Sequence, residues 1–396
     1  MSPRRPVRLL SLLAGAVALM AGVASTPAGA VGTGAEHLPS CGAVAAGSAR
    51  CHAILAKPAG GPLFVGASPS GYNPPDLQSA YALPSATAGA GQTVAIVDAY
   101  NDPNAESDLG VYRSQFGIPA CTTANGCFRK VSQSGDTKYP RNNGGWAQEI
   151  SLDLDMVSAV CPNCHIILVE ASSNSFANLL AAVDEAANLG ATEISNSYGG
   201  SESSGETSYD SHFNRPGIAI TASSGDGGYG VEYPAASQYL TAAGGTTLSH
   251  ASNTRGWAET AWSGAGSGCS AYEPQPSWQT NNSNVATVCS RRAVADVSAV
   301  ADPNTGVSVY DSYSYQGNSG WLVFGGTSVA SPIIASVFAL ASGVTTYSAS
   351  YPYGHSTSLY DVTSGSNGGC GNILCNATAG WDGPTGLGTP NGAGAF

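Results

Sequence analysis

The feature that most constrains this chain is the alternation of short apolar runs with helical segments through its middle. Thr93-Val94-Ala95-Ile96-Val97-Asp98 reads as a buried strand, because a β-branched run of this length suits a strand covered on both faces. Helical patterning follows over Asn104–Phe116 and, more strongly, over Trp146–Val160. His165–Glu170 reads as a strand, Ser175–Leu189 as a helix, and Ala191–Asn196 and Gly217–Ser223 as strands. Such alternation predicts an α/β fold: a doubly wound, mostly parallel sheet with flanking helices. Asp302–Asp311 and Tyr315–Phe324 read as a hairpin leading into one more helix. Ser201–Ser208 is a polar loop, and no repeats are found.

The N-terminus predicts export. Arg4, Arg5 and Arg8 precede an apolar stretch, Leu9–Val23, and Ala28-Gly29-Ala30 offers a small-residue cleavage site, so residues 1–30 read as a signal peptide. The apolar run is short and broken by glycine, which argues against a membrane anchor once the signal is removed. Residues 31–68 are rich in Ala, Gly and Pro and read as a short prosegment or N-terminal extension. The rest, 69–396, forms the main domain. All ten cysteines follow the cleavage site in near-neighbour pairs: Cys41/Cys51, Cys121/Cys127, Cys161/Cys164, Cys269/Cys289 and Cys370/Cys375. An even count in an exported chain implies local disulfides and an extracellular location. A net charge of −12 argues against nucleic acid as a partner.

Gly325-Gly326-Thr327-Ser328-Val329-Ala330-Ser331-Pro332 reads as a serine in the first turn of a helix, its hydroxyl outside the core. Free N–H groups and the positive dipole end there favour a nucleophile or an oxyanion, although a Thr-Ser cap on a buried helix is also consistent with the run. On the 146–160 helix, Gln148, Ser151, Asp155 and Ser158 share the expected solvent face. Glu149 and Asp153 fall together roughly 160° away, on the apolar side. Two acids so placed repel unless they share a proton or gain a partner, which points to a functional carboxyl pair. Asp226, in Ser224-Gly225-Asp226-Gly227, follows a strand at the end where open α/β sheets build their sites, though turn acids occur there too. Asp98 ends its strand similarly. No histidine has a neighbourhood suited to a serine triad, and Glu149 stands where a base would be expected. A carboxylate base suits acidic conditions, in which histidine is already protonated.

Taken in order, these motifs resemble the sedolisin family of serine-carboxyl peptidases, relatives of subtilisin. The likeness spans about residues 70–390. It includes Tyr72-Asn73-Pro74 through Ala80-Tyr81, the Glu149/Asp153 pair, Ser224-Gly225-Asp226, Tyr233-Pro234-Ala235-Ala236-Ser237, Ala243-Gly244-Gly245-Thr246, Asp296-Val297-Ser298-Ala299 and Gly326-Thr327-Ser328-x-x-x-Pro332. The resemblance implies a subtilisin-like sheet and a secreted, acid-acting endopeptidase working through an acyl-enzyme. Ser328 would be the nucleophile, Glu149 the general base, Asp153 its orienting partner, and Asp226 a protonated donor to the oxyanion. It also implies one structural calcium ion, held by Asp361, Asp382 and the carbonyls of Val362, Thr378 and Gly380. Thr378 stands where the family usually has glycine. Protein or peptide substrates and a monomer are expected. The family's large prodomain has only 31–68 as its counterpart here. Two alternatives stand beside the peptidase reading: a catalytically silent extracellular binding protein, slightly favoured by the short prosegment, and an exported hydrolase of non-peptide esters.

Overall fold

The computed structural model describes residues 1–3, 35–57 and 68–396. The signal-peptide reading and part of the extension therefore lie outside the described residues. Among the described residues, no helix is long and apolar enough to cross a membrane.

The central sheet runs in the order Trp257–Ala261, Thr241–His250, Ala219–Ser223, Glu193–Asn196, Thr93–Ala99, His165–Ala171, Phe128–Ser132, with Val297–Val300 also paired to Thr241–His250. Every pairing in it is parallel except Trp257–Ala261 on Thr241–His250. This is the expected doubly wound, mostly parallel sheet. Thr93–Ala99 lies at its middle, buried at all but its first residue, as a continuous β-branched run requires. The helices Ala105–Gln115, Gly144–Val160 and Phe176–Asn188 fall within a residue or two of the expected spans. The expected hairpin is present as Val307–Tyr315 against Asn318–Gly325. Residues 303–305 form a 3₁₀ turn rather than strand, because Asp302 caps that turn by accepting the N–H of Asn304.

Two helices organise the interior. Gly144–Val160 starts at Asn143, whose side chain accepts the N–H groups of Gly145 and Trp146. It packs against the helix Thr327–Ala341, the strand Val307–Tyr315 and the helix Ala105–Gln115, and from Gly145 onward it is wholly buried. The expected solvent face does not exist. Gln148, Ser151, Asp155 and Ser158 are all buried, because the hairpin and the Ala105–Gln115 helix cover that side. Some of their polar atoms find partners there: Gln148 accepts from the Ser40 hydroxyl, Asp155 from the Tyr310 N–H, and Ser158 from Arg113, while Gln148 Nε2 and Asp155 Oδ1 have none. A helix covered all round belongs at the centre of a domain. All five cysteine pairs form the disulfides expected from their spacing.

The fold buries further acids as well. Burial, the leading cause in each case, pushes Asp102 and Glu170 up to about 7 and Glu193 and Asp311 up to about 8. These values exceed those of an unfolded carboxyl, so above about pH 4 the native chain retains protons that the unfolded chain has lost. Their contribution to stability is full below that pH and is lost as pH rises through 7 and 8. Thermal melts across pH 4–8 should therefore give a melting temperature that declines with pH, and a rising profile would contradict this distribution of protons.

Candidate active site

Ser328 is the second residue of the helix Thr327–Ala341, entered from the strand Asn318–Gly325 through Gly326. Gly326 has φ 94°, and a Cβ there would collide with the carbonyl oxygen of His52 and stand 2.8 Å from Asp226 Oδ2. Both the turn and the close approach need glycine. Pro332 lies one turn into the helix and has no N–H to give the Ser328 carbonyl. The Ser197 hydroxyl approaches that freed carbonyl at 3.4 Å. Ser328 Oγ donates to the Ser197 carbonyl at 3.2 Å and accepts the His52 N–H at 3.1 Å. Contrary to the expectation of a hydroxyl outside the core, Ser328 is fully buried, because residues 52 and 53 lie across it.

The four acids and serines singled out in the sequence converge here. Glu149 Oε2 accepts the Ala53 N–H at 2.8 Å, and its other oxygen has no partner. Asp153 Oδ1 accepts from Ser197 Oγ at 2.8 Å, and its Oδ2 is likewise unpartnered. Asp98 is buried with neither oxygen partnered. Burial pushes all three carboxyls well above the usual range. The charges of Asp153 and Glu149 add to the effect at Asp98, and Asp153 adds to it at Glu149. The Ser328 hydroxyl and the Ala53 N–H work the other way on Glu149. Such a group of close acids keeps protons to avoid mutual repulsion. Asp226 Oδ1 accepts the N–H and hydroxyl of Thr327 at 2.8 and 2.9 Å. Burial raises its pKa, opposed by His52 and Thr327.

Five further residues, Ser197, His52, Ser223, Glu232 and Arg50, belong to this constellation and were not legible in the sequence. Ser197 links Asp153 to Ser328. His52 lies in the N-terminal extension, its ring fully buried between Ser223 Oγ, 2.7 Å from Nδ1, and Glu232 Oε2, 2.9 Å from Nε2. Burial lowers the His52 pKa, but Glu232 more than compensates and the net effect is a raised value. For Glu232, burial pushes upward, and His52 followed by Arg50 brings the carboxyl down to about 2. The only sequence signal for Glu232 was its place beside Tyr233-Pro234. His52 touches Ser328 through its main chain alone, so no imidazole serves the serine hydroxyl.

At the C-terminal loop, Asp361 Oδ2 accepts the Gly380 N–H at 2.9 Å, and Asp382 accepts from Thr378 and Thr385. The two acids thus border one loop, 378–382. Burial first, with Asp361 adding, raises Asp382 to about 7. Val362 is buried beside them. Among the described residues, no three His, Cys, Asp or Glu side chains group as a metal cluster. Any cation here would therefore need main-chain carbonyls beside the two acids.

A buried serine at a helix start, beside carboxyls and on a doubly wound, mostly parallel sheet, is consistent with a subtilisin-like architecture. The chain belongs to the subtilase family, whose model matches residues 135–350. Kumamolisin from Bacillus sp. (strain MN-32) is 31% identical over 367 residues, covering 82% of this chain and 63% of its own length. Sedolisin from Pseudomonas sp. (strain 101) is 28% identical over 361 residues, covering 81% of this chain and 60% of its own. The chain thus spans about three-fifths of the length of these two relatives. The solved structure of Pseudomonas sedolisin, a serine-carboxyl proteinase complexed with two molecules of pseudo-iodotyrostatin, superposes with a TM-score of 0.67 at 27% identity, covering 82% of this chain and 96% of that one.

Asp98 offers a direct test of the carboxyl electrostatics. Asp98→Asn removes a buried group that must either hold a proton or ionise without a partner. It should raise the melting temperature near neutral pH and leave it nearly unchanged at pH 4, where the carboxyl is already protonated. Equal shifts at both pH values would mean that packing, and not charge, dominates at this position.

Proposed function

We propose that this chain is a secreted serine-carboxyl endopeptidase that acts in acid through an acyl-enzyme. The observation that carries the reading is the convergence of Glu149, Asp153 and Asp226 on Ser328 with no imidazole at its hydroxyl. In this reading Ser328 Oγ attacks the substrate carbonyl and its proton passes to Glu149. Asp153, held by Ser197, keeps Glu149 in place and shares its charge. Asp226 gives its proton to a hydrogen bond with the developing oxyanion, together with the Ser328 N–H. Its raised pKa keeps that proton available beyond the ordinary carboxylate range. The disulfides and the N-terminal export signal support an extracellular location, and peptides are the substrates this chemistry suits.

The same reading places one structural calcium ion at the C-terminal loop. Asp361, Asp382 and the carbonyls of Val362, Thr378 and Gly380 would hold it, and the ion would neutralise two acids that border one loop without a basic partner.

Ser328→Ala should lower kcat on a peptide substrate by on the order of 10⁶ while leaving the circular dichroism spectrum and melting temperature unchanged. Glu149→Gln should nearly stop acylation. Asp226→Asn should cost less than the roughly 10²–10³ of a lost oxyanion donor, because the amide still donates. It should also abolish the fall in rate as pH rises, since that fall reports loss of the Asp226 proton. An Asp226→Asn enzyme as inactive as Glu149→Gln, with its pH profile unchanged, would overturn the oxyanion role.

Chelation should lower the melting temperature at pH values where both loop acids are ionised, by mass action on the folded state. An unchanged melt, with no calcium by elemental analysis, would exclude the ion.

A further inference from the structure

A second group of carboxyls lies beside the cleft and takes no part in the chemistry at Ser328. A small sheet runs in the order Glu232–Tyr233, Tyr198–Ser201, Arg50–Cys51. Its middle strand follows Ser197 directly and leads into the turns 202–212, which carry Glu202, Glu206 and Asp210. Glu273 meets these turns from the segment 270–273. Glu206, Asp210 and Glu273 are buried. Glu202 Oε1 accepts the Ser270 hydroxyl, and its Oε2 accepts the Ala271 N–H at 3.2 Å. Asp210 Oδ1 accepts the Tyr233 hydroxyl at 3.3 Å, and Glu206 Oε2 the Ser203 N–H at 2.6 Å. Glu206 Oε1 and both oxygens of Glu273 find no N–H or hydroxyl donor. Their neighbours are carboxyls: Glu202 for Glu206 and Asp210 for Glu273, each in hydrogen-bonding contact. Two carboxylates cannot make that bond, so one member of each pair must hold a proton.

We propose that Glu202, Glu206, Asp210 and Glu273 form an acid-closed latch: shared protons hold the turns 202–212 against residues 270–273, and loss of those protons in alkali releases the turns and loosens the cleft strand Tyr198–Ser201. Two strands of the small sheet are tied to the latch at the same end. Ser201 runs into Glu202, while Tyr233, paired with Gly200, gives its hydroxyl to Asp210. Glu232, which pairs with Ser201, lies next to Tyr233. Release of the turns therefore removes support from the strand that follows Ser197 and from the strand that carries Glu232. The latch itself does not depend on the peptidase reading. Its consequence for catalysis does: opening raises KM for a peptide, whereas loss of the Asp226 proton lowers kcat.

Neighbouring charges do not relieve the cluster. Arg292 faces Asp210 but is committed to Asp296, with Nη1 2.8 Å from Oδ1 and Nη2 on Oδ2. On the same turns, His212 and Arg215 hold Asp184 of the helix Phe176–Asn188 at 2.8 and 2.7 Å. The other titratable groups facing the acids, Tyr233 and Tyr239, bring no positive charge. Protons are the remaining means of neutralisation, and Glu206 and Glu273 are the members that keep them. Burial first, opposed by the Ser203 N–H and reinforced by Glu202, raises Glu206 to about 8. Burial and then Asp210 raise Glu273 to about 9. Asp210 is raised by burial but lowered by its bond with Glu273, as suits the acceptor of the pair. An exposed carboxyl has lost its proton by about pH 5. The closed turns thus bind protons that open turns release. Closure is fully favoured below about pH 4 and loses its advantage as pH rises through 8 and 9.

The test is amide hydrogen exchange on the full-length chain carrying Ser328→Ala, expressed as protection factors at pH 5, 7 and 9. Peptides covering 198–213 and 268–275 should lose protection by on the order of tenfold or more at pH 9, while the central strand Thr93–Ala99 keeps its own. Glu206→Gln/Glu273→Gln puts amides where the protons were, and these donate to Glu202 and Asp210 at every pH. Protection in the double variant should stay level across the range. Glu273→Gln alone, used if the double variant fails to fold, should shrink the loss. For catalysis, the Asp226→Asn enzyme is the reference, because its oxyanion donor no longer titrates. Its KM should rise between pH 5 and 8 in step with the loss of protection, and adding the two glutamines should keep it level. Protection in the parent that does not change with pH, or an equal loss in the glutamine variants, would overturn the latch. A KM that ignores pH while the turns open would overturn its link to the cleft. The expected exchange with no peptide hydrolysis at any pH would overturn the peptidase reading and support the latch alone.

Discussion

The structure depends on one electrostatic constraint: three carboxyls, Asp98, Glu149 and Asp153, buried together without a basic partner. Ionised, they would repel one another at low effective dielectric, and each would also bear a desolvation cost. They are tolerated because protons remain on the group and because neutral donors reach it from several directions. Ser197 comes from the sheet, and Ala53 from the N-terminal segment. The helix that carries two of the three must therefore be fixed on every side, and it is, by the hairpin, the Ser328 helix and the sheet.

The approach to Ser328 is set by small backbone facts. Gly326 lets a second main chain come close, and Pro332 frees a helix carbonyl that Ser197 can address. Ser197 has one hydroxyl hydrogen and two acceptors within reach, Asp153 and the Ser328 carbonyl. Which of them receives it follows the protonation of Asp153, so the hydrogen bonding of the Ser328 peptide is tied to the charge of the carboxyl pair. The Glu232 pocket is the counterpart: there a carboxylate is held ionised, at about 2, by two cations. Acids kept neutral and an acid kept charged lie on either side of the same serine, separated by their environments alone.

The parallel strands, the helices between them, the five cysteine pairs and the glycine–serine helix start are local patterns, and these patterns determined them from the sequence alone. A β-branched run in Thr93–Ala99 has few alternatives to a central strand, and cysteines a few residues apart have few alternatives to each other. The Glu149/Asp153 pairing was equally legible, because i and i+4 share a helix face. The coverage of that helix was not, since an interior helix and a half-exposed one differ only in what packs on Gln148, Ser151, Asp155 and Ser158.

The tertiary structure alone decided what completes the site. His52 lies 276 residues from Ser328 and 180 from Glu232, in a stretch whose Ala, Gly and Pro content gives no strand periodicity of its own. Its strands form because the edges Tyr198–Ser201 and Asn318–Gly325 offer unpaired N–H and carbonyl groups, and a strand templated by an edge needs little propensity of its own. Local sequence named the candidate serine and its acids. Only long-range pairing could lay the segment around His52 and Ala53 across them.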